Sequence, residues 1–180
     1  LDPGTLIYGL YQEAGVHHPM TDLQGMVEIL SGLPLTYHPG TSWEYSIATD
    51  VLGRLVEVLS GQRFDNFIAE RIFVPLDMVD TGFVVPAGKQ ERFAAYYDGA
   101  DVLQPMLPGL TRADNFPYPG AYLQSVPRLS GGGGLVTTLP DMVALMRALL
   151  PGGPHVLKPE TVELMMQNHL PDGQTLIFAR

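Results

Sequence analysis

The sequence contains no cysteine, which excludes disulfide bonds, thiol nucleophiles and cysteine-ligated metals. It has only ten lysine and arginine residues against nineteen acidic ones. The net charge of −9 argues against nucleic-acid binding, because neutralising phosphates requires clustered basic side chains. No apolar run reaches the length of a membrane span. What remains is a chain with 46% hydrophobic and 16% charged residues, a composition typical of a folded globular domain.

The spacing of apolar residues predicts a mostly helical chain with minor β structure. Apolar positions recur three and four residues apart, which is the repeat of a helix with one apolar face. The strongest pattern covers residues 48–60, where six apolar side chains form a wide stripe. The predicted helices cover residues 6–13, 22–30, 48–60, 64–73, 139–150 and 159–168.

Short polar residues and glycines mark the predicted helix ends. Thr21 is predicted to cap the second helix, and Gly61 to follow the third as a left-handed residue. Thr138 and Asp141 have the spacing of a capping box, in which two side chains bond backbone N–H groups at one helix start. Gly53 lies inside the third helix, where glycine costs about 1 kcal/mol relative to alanine. We therefore expect another backbone to pack closely against it.

The chain is predicted to be one partial domain made of three segments. Residues 1–81 form a helical segment, residues 82–130 form a loop-rich segment, and residues 131–180 form a strand or turn followed by two helices. Short strands are predicted at 82–85, 93–97 and 134–137. A long irregular stretch inside a compact domain is usually functional, so we expect residues 82–130 to lie on the substrate side.

Tyr45 stands just before the third predicted helix and is the first candidate for chemistry. The start of a helix carries free backbone N–H groups and the positive end of the helix dipole, which favour a negative charge. A tyrosine placed there suits the role of general base or proton shuttle. The alternative is that Tyr45 only packs the turn against the helix.

The segment around Tyr45 resembles the Tyr-x-x motif of the penicillin-recognising serine hydrolases: class C β-lactamases, DD-peptidases and family VIII carboxylesterases. Further short motifs follow in that family's order and spacing, and the resemblance covers about residues 21–170. Those motifs are Leu33-Pro34-Leu35, Leu52-Gly53, Glu57, Ser60-Gly61, Ile72-Phe73, Pro75-Leu76-Asp77-Met78, Asp80-Thr81, Gly133-Gly134-Leu135-Val136-Thr137-Thr138 and Asp141-Met142.

The resemblance implies that the nucleophile is a serine of a Ser-x-x-Lys motif, whose lysine shares the proton transfers with Tyr45. This sequence has no such motif, because residue 86, before Lys89, is proline and residue 155, before Lys158, is histidine. We therefore expect the motif to lie outside this chain, and the isolated chain to be inactive.

The resemblance also implies a fold. The family has an antiparallel sheet flanked by helices, with a helical domain inserted after Ser-x-x-Lys. This chain resembles that helical domain with most of the sheet missing, and both of its ends look like cuts inside a larger protein. The rest of the same hydrolase, meaning the sheet and the Ser-x-x-Lys helix, is thus its expected partner. No metal or organic cofactor is implied.

Ile47 occupies the third motif position, where β-lactamases and peptidases usually have asparagine. An isoleucine cannot hydrogen-bond a substrate amide, so we expect a preference for esters over amides and β-lactams. The resemblance therefore favours a carboxylesterase acting on a small-molecule ester. A β-lactamase or DD-peptidase acting on a β-lactam-like substrate stays an alternative, as does a non-catalytic relative that binds peptide or cell-wall fragments.

Aromatic residues supply candidates for substrate contact. Trp43 and Ile47 flank Tyr45, while Phe116, Tyr118 and Tyr122 lie in the loop-rich segment, and all are candidates to line an acyl or alcohol pocket. Ordinary packing is the alternative for the aromatic side chains.

Three other patterns are not expected to carry chemistry. Gly131 to Gly134 lack the following Gly-Lys-Ser/Thr of a phosphate-binding loop and are predicted to form a turn into a strand. His17 and His18 lack further metal ligands and are predicted to lie in a solvated loop. The segment from His38 to Gly40 is predicted to be a turn.

Overall fold

The computed structural model describes residues 5–101, 108–113 and 117–170. These residues form a mostly helical chain with minor β structure, as predicted. The helices are α1 (Leu6–Glu13), α2 (Leu23–Ser31), α3 (Ala48–Ser60), α4 (Phe64–Ile68), α5 (Leu139–Ala148) and α6 (Pro159–Met165). A π-helical turn (Ala69–Phe73) continues α4, and a 3-10 helix covers Ala87–Arg92. None of the helices in these ranges is long and apolar enough to cross a membrane.

The bounds of α1 and α3 match the prediction residue for residue. Gly61 follows α3 in the left-handed conformation, at φ 70°, as its position beyond the last turn predicts. The predicted cap of α2 was wrong by one residue. Asp22, rather than Thr21, is the N-cap, and its Oδ1 accepts a hydrogen bond from the Gly25 N–H at 2.8 Å. A carboxylate near the helix start is also stabilised by the positive end of the helix dipole.

Helix α3 packs between α2 and α4. Gly53 is buried at this contact, and a Cβ there would lie 3.2 Å from Leu23 and 3.4 Å from Phe64. The close approach was predicted, but side chains make it rather than another backbone. A larger residue at this position would push α2 and α4 away from α3.

The capping box predicted at the start of α5 does not form. The Thr138 side chain makes no capping hydrogen bond. The Asp141 carboxylate instead accepts bonds from the Asp80 N–H at 2.8 Å and the Thr81 hydroxyl at 2.7 Å. The buried Asp141 therefore bonds a distant segment of the chain instead of capping its own helix. Both α5 and α6 also end earlier than their apolar patterns predicted, at Ala148 and Met165.

The β structure is smaller than predicted and partly displaced. Strands β1 (Tyr97–Asp98) and β2 (Thr111–Arg112) pair antiparallel, with Tyr97 opposite Arg112. The predicted strands 82–85 and 134–137 meet only in an isolated antiparallel bridge between Gly82 and Val136.

Two hydrophobic clusters hold the described residues together. The first contains Val16, Leu23, Met26 and Leu129, with Ile47 packed against it. The second contains Leu76, Met78 and Ala148. Burial of this apolar surface supplies most of the stabilisation, at about 25 cal/mol per Å².

Much of the apolar stripe of α3 lies outside both clusters. Its exposed members, here called the α3 stripe, are Val51, Leu52, Leu55, Val58 and Leu59. The most exposed of them, Leu59, has 78% of its surface accessible. A contiguous exposed apolar surface of this kind is typical of an interaction site.

Candidate active site

Tyr45 lies in the turn that leads into α3 and is 67% exposed. Ile47 is the N-cap residue of α3 and, being apolar, makes no side-chain capping bond. Ser46 takes that role, since its Oγ accepts a hydrogen bond from the Ala48 N–H at 3.2 Å. Ile47 is half-buried and packs against the first hydrophobic cluster, so it anchors the turn that carries Tyr45.

The predicted contact residues separate into two groups. Trp43 is half-buried and lies in the same turn as Tyr45 and Ile47. Tyr118 and Tyr122 instead line a cleft of about 430 Å³, to which none of those three contributes. Phe116, also predicted to contact substrate, lies outside the described residues.

This cleft, here called the tyrosine cleft, has an aromatic wall and a polar floor. The wall includes Tyr118, Tyr122 and Phe83, and the floor includes Asp50, Arg128 and Ser130; the other lining residues are His17, Pro19, Pro117, Gly133 and Gly134. A few polar groups among apolar and aromatic walls are typical of a small-molecule site.

A buried charge network forms the floor of the tyrosine cleft. Arg128 pairs with Asp50, and it also donates hydrogen bonds to the Thr21 carbonyl at 2.7 Å and the Val16 carbonyl at 2.8 Å. Asp50 Oδ1 accepts from the Ser130 hydroxyl at 2.8 Å. The donors and acceptors of this network therefore satisfy one another, as a buried charge requires.

The glycine-rich turn that follows Ser130 is bound to the start of α3. The Gly132 N–H donates to Asp50 Oδ1 at 2.9 Å. A Cβ on Gly131 would lie 2.5 Å from the Thr49 carbonyl oxygen, and one on Gly134 would lie 2.6 Å from the Ser130 carbonyl oxygen. Only glycine allows the turn to approach Thr49 and to fold back on Ser130 this closely. The predicted turn is confirmed, and its role here is close packing.

Tyr122 is held in an unusual conformation at the edge of the tyrosine cleft. Its φ is 64°, in the left-handed region that a bulky residue rarely adopts. Its hydroxyl donates to the Gly133 carbonyl at 2.7 Å, and its ring stacks on Tyr96 at a centroid distance of 6.4 Å. Burial raises the pKa of the Tyr122 hydroxyl, and burial likewise raises the pKa of Tyr118. Both phenols therefore stay uncharged at neutral pH.

His17 stands at the rim of the tyrosine cleft. The His17 side chain is exposed, but partial desolvation of its ring and the nearby Arg128 cation lower its pKa from the usual value, so the ring is neutral at pH 7. His18 is exposed and its Nδ1 accepts a bond from the Met20 N–H, in keeping with the predicted loop. Within the described ranges, no group of three or more His, Asp or Glu side chains is placed to hold a metal ion.

A smaller cleft of about 120 Å³ lies beside Asp80. Lys89 and Arg92 both pair with the Asp80 carboxylate, and their hydrogen bonds hold its pKa below the usual value. Since the two cations already share one carboxylate and Asp80 supports α5 through its N–H, we interpret this cluster as structural.

Sequence reasoning missed Asp50, Arg128 and Ser130. Asp50 lies in the first turn of α3, where an acidic residue usually serves the helix dipole. Nothing in the spacing pairs it with an arginine far along the chain. The packing of Leu129 into the first cluster and the contacts of the glycine-rich turn with Thr49 and Asp50 hold Arg128 and Ser130 at the start of α3.

Comparisons with known proteins point to one family. The lovastatin esterase of Penicillium rubens is 33% identical over 153 residues, which cover 85% of this chain and 37% of that protein. The esterase EstB of Burkholderia gladioli is 34% identical over 142 residues, covering 71% of this chain and 34% of that protein. The chain thus spans about a third of the length of these relatives.

Solved structures share the fold. EstCE1, described as a hydrolase with promiscuous acyltransferase activity, aligns with a TM-score of 0.69 at 25% identity, over 86% of this chain and 43% of that one. The D-amino acid amidase of Ochrobactrum anthropi aligns with a TM-score of 0.58 at 22% identity, over 79% of this chain and 39% of that one, and shows likeness of fold alone. A family model described as Beta-lactamase matches residues 3–175. With a match along nearly its whole length and relatives above 30% identity, the chain belongs to the Beta-lactamase family.

Proposed function

We propose that this chain is the helical part of a serine hydrolase that cleaves carboxylic esters through an acyl-enzyme. The observation that carries the proposal is the exposed Tyr45 at the start of α3, anchored by the half-buried Ile47. The esterases among the relatives support the ester as substrate class. We assign the Ser-x-x-Lys motif to the rest of the hydrolase, so the isolated chain is expected to be inactive.

In the proposed reaction, the serine Oγ attacks the ester carbonyl carbon while Tyr45, with the motif lysine, accepts the hydroxyl proton. The tetrahedral intermediate collapses, and the alcohol leaves with that proton. Water then attacks the acyl-enzyme and gives one proton to the same groups. They return it to the serine as the carboxylic acid departs.

Ile47 bears on the choice between esters and amides. Its apolar side chain gives no hydrogen bond to a substrate N–H or carbonyl, so a peptide or β-lactam gains nothing there. The alternative substrate class has some support, because a putative D-alanyl-D-alanine carboxypeptidase of Escherichia coli K12 is 26% identical over 167 residues.

The exposed α3 stripe supports the proposed partner. We assign its cover to the remainder of the same hydrolase, because burying exposed apolar surface is favourable and the chain spans only about a third of its relatives. Residues 82–130 carry Tyr118 and Tyr122 and are assigned to the substrate side.

The test is Tyr45→Phe in the full-length protein, assayed with p-nitrophenyl butyrate. Phenylalanine keeps the ring and removes only the hydroxyl, so kcat/KM should fall by about 10²–10⁴-fold with an unchanged melting temperature. Tyr37→Phe, at another exposed tyrosine with 50% of its surface accessible, is the matched control, and its kcat/KM should stay within about threefold of wild type. A Tyr45→Phe fall no larger than that of the control would return Tyr45 to a packing role.

A further inference from the structure

The two tyrosines of the tyrosine cleft belong to the segment assigned to the substrate side, but the part of the substrate that they would bind has not been named. The wall of the cleft contains one residue in a strained backbone conformation. Tyr122 keeps a left-handed φ of 64° while its hydroxyl bonds to Gly133 and its ring stacks on Tyr96. Strained backbone persists only where the surroundings enforce it, and it clusters at functional sites. The strain at Tyr122 thus points to a selected position for this ring.

The floor of the cleft offers no free charge to a ligand. Arg128 directs its nitrogens to the Thr21 and Val16 carbonyls and to Asp50, while Asp50 also accepts bonds from Ser130 and the Gly132 N–H. A substrate carboxylate or ammonium would have to break one of these buried bonds. An uncharged group meets no such cost.

The walls are correspondingly neutral. The phenols of Tyr118 and Tyr122 are uncharged at neutral pH because burial raises their pKa, and the neighbouring His17 ring, whose pKa is lowered, is uncharged too. Phe83 completes an aromatic surface, which binds apolar groups by area burial and ring contact. At about 430 Å³ the cleft has room for a phenyl ring with a short alkyl chain.

We propose that the tyrosine cleft binds the larger uncharged group of the ester substrate, aliphatic or aromatic, with Tyr122 as the residue that sets its size. This inference rests on the proposed ester hydrolysis and adds the substrate class: neutral esters with one bulky apolar group. That group is either the acyl or the alcohol part, and the two arms of the test separate them.

The test uses the full-length protein and two series of esters. The first series varies the acyl group, p-nitrophenyl acetate against p-nitrophenyl 4-phenylbutanoate. The second varies the alcohol, ethyl acetate against 4-phenylbutyl acetate. We expect kcat/KM to favour the bulky ester in one series. In Tyr122→Gly, which removes the wall and relieves the left-handed φ, that preference should fall about tenfold or more through KM. The kcat/KM of the short ester should fall less than that of the bulky ester, so the ratio of the two values is the readout.

Control variants keep the result interpretable. Tyr122→Phe retains the ring and should keep most of the preference, while Tyr37→Gly, outside the cleft, should keep all of it. If Tyr122→Gly does not fold, Tyr118→Ala removes the other tyrosine of the wall without touching the strained position and should lower the same preference.

The outcomes separate the two proposals. An unchanged preference in a folded Tyr122→Gly or Tyr118→Ala variant that still cleaves the short ester would overturn the cleft assignment and leave ester hydrolysis standing. So would a wild-type preference for mono-p-nitrophenyl succinate, which carries a carboxylate, over the uncharged phenylbutanoate. Failure of the wild type to cleave any ester would overturn both.

Discussion

Asp50 Oδ2 lies 3.7 Å from Arg128 Nη1, and both side chains are more than nine-tenths buried. The pair joins the first turn of α3 to the segment that enters the glycine-rich turn. Through the carbonyls that Arg128 binds, it also joins the loop before α2. This one buried ion pair therefore connects the backbone that carries Tyr45 to the backbone that forms the floor of the tyrosine cleft.

Asp50→Ala should destabilise the full-length protein strongly. The change leaves the Arg128 cation buried without its counter-ion and removes the acceptor for Ser130 and Gly132, which costs about 3–5 kcal/mol. Urea unfolding would measure the difference. The control is Asp65→Ala, which removes an exposed pair with Arg63 and should cost no more than about 1 kcal/mol. Equal losses in the two variants would show that the buried pair has no special role.

Gly131→Ala should cost about 1–3 kcal/mol, because the new Cβ would lie 2.5 Å from the Thr49 carbonyl oxygen and force two backbones apart. Gly133→Ala in the same turn is the control. A Cβ at that position has nothing within 4 Å, so stability should change little or rise slightly. Melting temperatures of the two variants would test this, and a Gly131→Ala protein as stable as Gly133→Ala would contradict it.

Ile47→Asn should raise the ratio of lactam to ester kcat/KM, by about tenfold at most, because one new hydrogen bond to an amide contributes about 0.5–1.5 kcal/mol. Since Ile47 packs against the first hydrophobic cluster, the variant should also lose about 1–3 kcal/mol of stability. The ratio is the informative quantity, because misfolded enzyme cancels from it.

Ile47→Val is the control for that experiment. It keeps an apolar side chain and should leave the ratio as in wild type. A ratio that does not rise in a folded Ile47→Asn protein would show that position 47 does not set the preference for esters.

The sequence by itself determined part of the local structure of this protein. The repeat of apolar residues and Gly61 defined α1 and α3 to the residue, because helix formation and termination depend on neighbours within one or two turns. The ordered short motifs likewise led to the family, which the comparison over residues 3–175 confirmed. The role of Tyr45 stays a prediction from its motif.

Only the tertiary structure decided how distant segments meet. Asp141 had the spacing of a local cap, yet it bonds to Asp80 and Thr81, because packing of α5 brought better donors within reach. The apolar stripe of α3 was visible in sequence, but its exposure was not, since exposure depends on what lies against it. Arg128 was not a candidate in the sequence, and nothing there indicated the left-handed φ of Tyr122. Their partners are chosen by the packing of the whole chain, which no local pattern encodes.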